Sequence, residues 1–132
     1  MVIGLMWLFQ RKELLARSIP GLAIQVAAAG LMIAARLTFG LRSFHAAANP
    51  TAGGLVTRGP YYWLRHPIYA AILYFIWSTA IDHRSVQSLA AALLITAGAC
   101  VRMYAEESLL LTTYPEYAAY RARTARVIPF VL

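Results

Sequence analysis

Residues able to do chemistry gather in two short stretches of this sequence. Arg102 and Glu106 are four apart, so on a helix they share a face. Glu107 adjoins Glu106 but cannot share that face with Arg102, and it needs another partner. Arg65 and His66 are the groups able to supply one. An ion pair at a helix end explains Arg102 and Glu106 on spacing alone. Two adjacent carboxylates beside a long apolar run point further, because ionisable groups at a membrane tend to be functional. The second stretch holds Tyr61, Tyr62, Trp63, Arg65, His66 and Tyr69. Its aromatics suit either a belt at headgroup depth or a wall for a cationic ligand, since ring faces attract cations. His66, next to Pro67, suits a cap or turn residue as well as a binding group.

Other chemistries find no support. The histidines His45, His66 and His83 are scattered, with no HxxxH spacing, and Cys100 is the single cysteine, so no metal site is expected. Serine is not set beside histidine in a nucleophile turn. Gly53-Gly54 lacks the spacing and the lysine of a phosphate loop.

The elements that must position these residues are apolar. Of 132 residues, 61% are hydrophobic and 13% charged, about half the charge of a soluble domain. Residues 18–35, 67–81 and 85–101 carry no formal charge and are 18, 15 and 17 long, near the roughly 17–25 that cross a bilayer as a helix. The sequence therefore predicts an all-α integral membrane protein in a single domain. Its parts are a transmembrane helix over 18–39, a loop over 40–66, a helical hairpin from 67–81 and 85–104, and a C-terminal segment over 105–132 ending in a short amphipathic helix. The apolar stretch 1–10 is too short to span alone and would form at most a short N-terminal helix. Pro20-Gly21 and Pro67 suit first helical turns. Ala27, Ala28, Ala29, Gly30, Ala34 and Ala35 give a small-residue face for close helix packing. Asn49-Pro50, Gly53-Gly54 and Gly59-Pro60 mark the long loop, and Asp82-His83-Arg84 the hairpin turn. Cys100, inside an apolar helix, reads as a buried inert thiol.

A net charge of +7 raises nucleic acid as a partner, but the basic residues stand at the ends of apolar segments and form no soluble basic face. They report topology instead. With three crossings, Arg36, Arg42, Arg58, Arg65, Arg102, Arg121, Arg123 and Arg126 fall on one side, against Arg11, Lys12, Arg17 and Arg84 on the other. The loop and the C-terminus are thus expected to face the cytoplasm. Three functions remain open at this point: an enzyme of the membrane surface, a non-enzymatic helical membrane protein, and a proton or ion pathway. The last is weakened because Arg102, Glu106 and Glu107 gather at one membrane edge.

The run "LVTRGPYYWLRHPIY", followed by "EESLLL" and "YPEYAAYRARTARVIPF", resembles the isoprenylcysteine carboxyl methyltransferase family and the related phospholipid methyltransferases. The order and spacing of these pieces carry the resemblance, which covers roughly residues 30–129. It implies a membrane enzyme that binds S-adenosylmethionine between the loop, the hairpin and the C-terminal segment, and methylates a lipid-like or prenylated acceptor at the cytoplasmic interface. By position it places the backbone of Gly54, Leu55 and Val56 along the cofactor, with Tyr61, His66, Pro67, Ile68 and Tyr69 around it. Glu106 would bind its polar end with Glu107 alongside, and Arg102 would face the acceptor. Gly53 and Ala46 stand where the eukaryotic enzymes have histidine and glutamine, and the interval from Glu106 to Tyr117 is one residue shorter. A carboxylate acceptor is already nucleophilic at neutral pH, and Arg102 could align it by a two-pronged hydrogen bond. An amine acceptor, as in the N-methylating phospholipid enzymes, would need a group such as Glu107 or Tyr69 to take a proton.

Overall fold

The computed structural model describes residues 15–39 and 57–129, together with residues 3, 6, 7 and 10. Gly54, Leu55 and Val56 lie outside the described residues, as does most of the proposed N-terminal helix. Among the described residues the chain forms helix α1 (Ile19–Phe39), a 3-10 turn (Gly59–Tyr62), α2 (Pro67–His83), α3 (Val86–Thr113) and α4 (Tyr117–Arg123). There is no strand among them, only an isolated parallel bridge between Leu64 and Ala125.

Two of these helices, α1 over Ile19–Thr38 and α3, are long and apolar enough to cross a membrane. The expected third span, α2, has 17 residues and is about 25 Å long at 1.5 Å per residue, short of a hydrocarbon core of about 30 Å. It is the central helix, with eight of its residues buried. On one side it meets α1 through the stripe Gly21, Gln25, Ala28 and Ala35, all buried. A Cβ at Gly21 would stand 2.4 Å from Asp82 Oδ2 and 2.8 Å from the Ala16 Cβ, so only glycine permits this approach. Asp82 accepts from the Ser18 backbone N–H at 2.8 Å and the Ser18 hydroxyl at 2.7 Å, joining the start of α1 to the end of α2. Deeper in, Gln25 Nε2 donates to Thr79 Oγ1 at 2.7 Å.

On its other side α2 packs Leu73, Ile76 and Ala80 against Ala92, Ile95, Ala99 and Met103 of α3. Those α3 residues recur every three or four positions, as one face of a helix requires. Arg84 closes the hairpin in the left-handed region at φ 50°, and Ser85 caps α3 by accepting from the Ser88 N–H at 3.0 Å. The outer face of α3, with Leu93, Leu94, Val101 and Tyr104, is exposed as a lipid-facing surface would be. Cys100 lies on that exposed face, which corrects the buried thiol expected from the sequence: an apolar environment in a thin bundle can be lipid as well as protein.

At 28 residues, α3 is about 42 Å long and exceeds the bilayer core by roughly two turns. As the run "VRMYAEESLLLTTY" leads one to expect, residues past 104 continue the helix to Thr113, and Pro115 follows its end. Beyond α4 the chain returns beside residues 63–66. Ala125 N donates to Trp63 O at 3.1 Å, Arg65 N to Ala125 O at 2.7 Å and His66 N to Arg126 O at 3.1 Å. Tyr120 OH donates to Tyr61 O at 2.6 Å, and Tyr74 OH to Val127 O. This C-terminal strap clasps the Arg-His step against α3. Across from it, the 3-10 turn docks on the end of α1. Gly59 has φ +60° and would place a Cβ 2.8 Å from Thr38 Oγ1, so glycine is required there too.

Candidate active site at the end of the bundle

Three elements deliver the site. Pro67 fixes the first turn of α2, setting His66 just before it and Tyr69 half a turn on. A position 20 residues along α3 from Val86 corresponds to about 30 Å of rise, so Glu106 and Glu107 stand where that helix leaves an apolar slab. The C-terminal segment, α4 with the strap that follows it, then brings Arg121 and Arg126 to the same place.

The two adjacent glutamates part company. Glu106 accepts from Tyr69 OH at 2.6 Å, and Arg102 Nε donates to the same hydroxyl at 2.7 Å. Arg102 Nη2 stands 3.7 Å from Glu106 Oε1. Tyr69 therefore accepts from a guanidinium and donates to a carboxylate, joining two groups whose direct contact is long. Side-chain exposure is 39% for Arg102 and 24% for Glu106, leaving both open to a ligand.

Glu107 turns inward and is 3% exposed. Its Oε1 lies 3.0 Å from Arg65 Nε and 3.0 Å from His66 Nε2, with Arg126 Nε at 3.3 Å. Its Oε2 accepts from Arg126 Nη2 at 3.4 Å, and Arg121 Nε is 3.9 Å away. A carboxylate among three guanidinium groups can only accept, so His66 Nε2 carries the hydrogen. His66 Nδ1 then faces Glu106 Oε2 at 3.7 Å. The imidazole, 5% exposed, stands between the two carboxylates. Arg65 is fixed further by donation from its Nη1 to Arg121 O at 2.8 Å and to Thr124 O.

The structure thus brings together His66, Tyr69, Arg102, Glu106 and Glu107. The His66 and Tyr69 rings are 5.8 Å apart. Pro67 is buried at the helix start, and Tyr61 packs with Ile68 against Ala35 of α1. Glu107 does find Arg65 and His66, the partners that the sequence offered it. Arg121 and Arg126 as further partners were not read from the sequence; their only signal there was as tail charges. Nor was Tyr117, which is 1% exposed, has no hydrogen-bond partner for its hydroxyl among the described residues, and has its pKa pushed up to about 12 by burial. Tyr120 is likewise raised by burial, so both hydroxyls stay neutral. Among the described residues no group of histidine, cysteine and carboxylate side chains could hold a metal ion.

Comparison with known proteins adds an independent line. Residues 19–117 match the phospholipid methyltransferase family. A solved structure of the eukaryotic intramembrane Ras methyltransferase, isoprenylcysteine carboxyl methyltransferase, is similar with a TM-score of 0.71 at 30% identity, covering 84% of this chain and 41% of that protein. The chain thus spans about two-fifths of the length of that relative. No curated protein matches the chain.

Proposed function

Because the chain belongs to the phospholipid methyltransferase family, we propose that it transfers a methyl group from S-adenosylmethionine to a lipid-like acceptor where its apolar helices meet the cytoplasm. The observation that carries this reading is the Arg102–Tyr69–Glu106 chain, accessible at the end of a spanning helix and backed by His66.

The side chains present fit that cofactor. Glu106 offers an accessible carboxylate to an ammonium group, and the His66 and Tyr69 rings beside it suit a sulfonium. Tyr61, Pro67 and Ile68 would supply apolar lining, and the resemblance read from the sequence implies that Gly54, Leu55 and Val56 run along the same cofactor. Glu107 serves as the anchor behind it, since its oxygens are already committed to Arg65, His66 and Arg126. When bound, S-adenosylmethionine supplies an electrophilic methyl and a neutral thioether leaving group. The protein then has to hold the reactants in line and keep water out.

We favour a carboxylate acceptor, as in the isoprenylcysteine enzyme. Arg102 is a cation steadied through Nε by Tyr69 and still exposed, a position that orients an anion and repels a protonated amine. A second reading, an amine-headed lipid, draws on the short Tyr69–Glu106 bond, which offers a carboxylate to receive the proton an amine must lose. Methyl transfer to a prenylcysteine analogue and to phosphatidylethanolamine, by wild type and Arg102→Lys, separates the two. Carboxylate transfer should fall at least tenfold in the variant, because lysine keeps the charge and loses the planar fork, while calorimetric affinity for S-adenosylmethionine holds. Equal turnover on every acceptor would make Arg102 structural. Absence of S-adenosylmethionine binding to the wild type would refute this reading and leave a non-enzymatic helical protein or an ion pathway.

A further inference from the structure

A cleft of about 580 Å³ opens on the far side of the strap, lined by Tyr62, Trp63, Arg65, Arg121, Arg123 and Arg126 among others. Its lining has four guanidinium groups and no carboxylate. The acid shared by Arg65, Arg121 and Arg126 is Glu107, buried behind it. One buried negative charge against four positive ones leaves a concave surface whose field favours an anion. Arg123 stands over the Tyr62 ring at 5.9 Å and the Tyr120 ring at 5.6 Å, so its guanidinium plane is held at the rim.

The rim is amphipathic. Tyr62 and Trp63 meet edge to face at 5.0 Å and are 54% and 53% exposed. They belong to the end of the bundle where the 3-10 turn meets Thr38 of α1, the level at which aromatic side chains settle among headgroups. Arginines bind phosphate through paired N–H donors, and adjacent exposed rings suit the glycerol and upper acyl region of a lipid.

We propose that this cleft holds the phosphodiester of an anionic phospholipid which is not itself methylated. A phosphatidylglycerol headgroup has no amine or carboxylate to accept a methyl group, so this lipid is distinct from the acceptor at Arg102. Bound there, it would neutralise the crowded guanidinium groups and fasten the strap, whose backbone carbonyls hold the amides of Arg65 and His66. The proposal rests on the membrane reading of the chain and is independent of methyl transfer.

The test is native mass spectrometry of the full chain in detergent, titrated with phosphatidylglycerol or phosphatidylcholine. Wild type should retain phosphatidylglycerol in preference to phosphatidylcholine. Arg123→Gln should weaken that binding roughly fivefold and the Arg121→Gln/Arg123→Gln double variant further, as expected for one surface charge each. Arg123→Lys should restore most of it. Equal retention of both lipids by wild type would overturn the proposal. So would undiminished phosphatidylglycerol binding in the two glutamine variants at unchanged helical content. Inorganic phosphate that displaces the lipid at comparable concentration would replace a lipid site by a free-anion site. Should the double variant unfold, the exposed Arg123→Gln substitution decides alone. A protein that binds the lipid yet transfers no methyl group would refute the proposed activity and leave this site standing.

Discussion

Replacing Glu107 by glutamine tests whether this residue is an anchor and its neighbour a ligand. The substitution keeps the shape and one carbonyl acceptor but removes the charge. Glu107 and Arg65 have side chains only 4% and 8% exposed, so the guanidinium is left in a dry site beside His66. Breaking a buried pair by removing one partner costs about 3–5 kcal/mol. The retained amide oxygen recovers about 1 kcal/mol. Arg126 and Arg121, with side chains 36% and 44% exposed, are screened by solvent and add less than about 1 kcal/mol each. The net loss is therefore about 2–6 kcal/mol, or roughly 6–24 °C in melting midpoint for a chain of this size. Thermal unfolding of purified protein, followed by circular dichroism at matched detergent, measures it. Glu106→Gln is the internal control. Its carboxylate is more exposed, so its midpoint should move by about a third as much, while affinity for S-adenosylmethionine drops. Glu107 is no anchor if Glu107→Gln melts with the wild type, or if Glu106→Gln is the variant that collapses.

Other substitutions probe the remaining joints. Tyr69→Phe removes the hydroxyl linking Arg102 and Glu106; turnover should fall at least tenfold while the melting midpoint shifts by about 1 kcal/mol equivalent, a split that stopped-flow methyl transfer and calorimetry resolve. Gly21→Ala should loosen α1 from α2, because the new methyl would collide with Asp82 and Ala16, and a lowered melting midpoint would report it. The backbone hydrogen bond from Ser18 holds the Asp82 carboxyl below its ordinary value. Its folded pKa being depressed, the contribution is full above the unfolded value near 4 and is lost as pH falls through the folded value. Acid titration of wild type against Asp82→Asn should show the difference between them vanish in that range. Asp82→Cys should react with a membrane-impermeant maleimide only from outside intact cells, and labelling only from inside would invert the topology.

The hairpin and its turn were legible because α2 and α3 meet through a run of apolar residues bounded by charge, and because Pro67 and Asp82-His83-Arg84 are local signals that need no tertiary context. The spacing of Arg102 and Glu106 likewise announced a shared face. What escaped was non-local. The Leu64–Ala125 bridge joins segments 61 positions apart, and nothing in "TARVIPF" says that its carbonyls will hold the amides of Arg65 and His66. Span length left one point open. An absence of charge over 67–81 marks a helix equally well whether lipid or protein surrounds it, and α2 proves to be the enclosed one. The same ambiguity put Cys100 inside when it faces out.

The site follows from a single step along one helix. Consecutive residues on α3 are turned by about 100°, so Glu106 and Glu107 cannot meet the same surroundings. One faces the start of α2, where Tyr69 and Arg102 leave it reachable from water; the other faces the strap, where Arg65, Arg126 and His66 close over it. His66 touches both, so the buried ion cluster also fixes the ring that lines the accessible carboxylate. A rigid, fully committed glutamate behind a reachable one gives a small bundle a preorganised polar wall at a membrane surface, which loose surface charges could not maintain against hydration. On this argument the order of sensitivity is set. Changes at Glu107 should be felt first as lost stability and then at the cofactor, whereas changes at Glu106 should be felt at the cofactor in a protein that still folds.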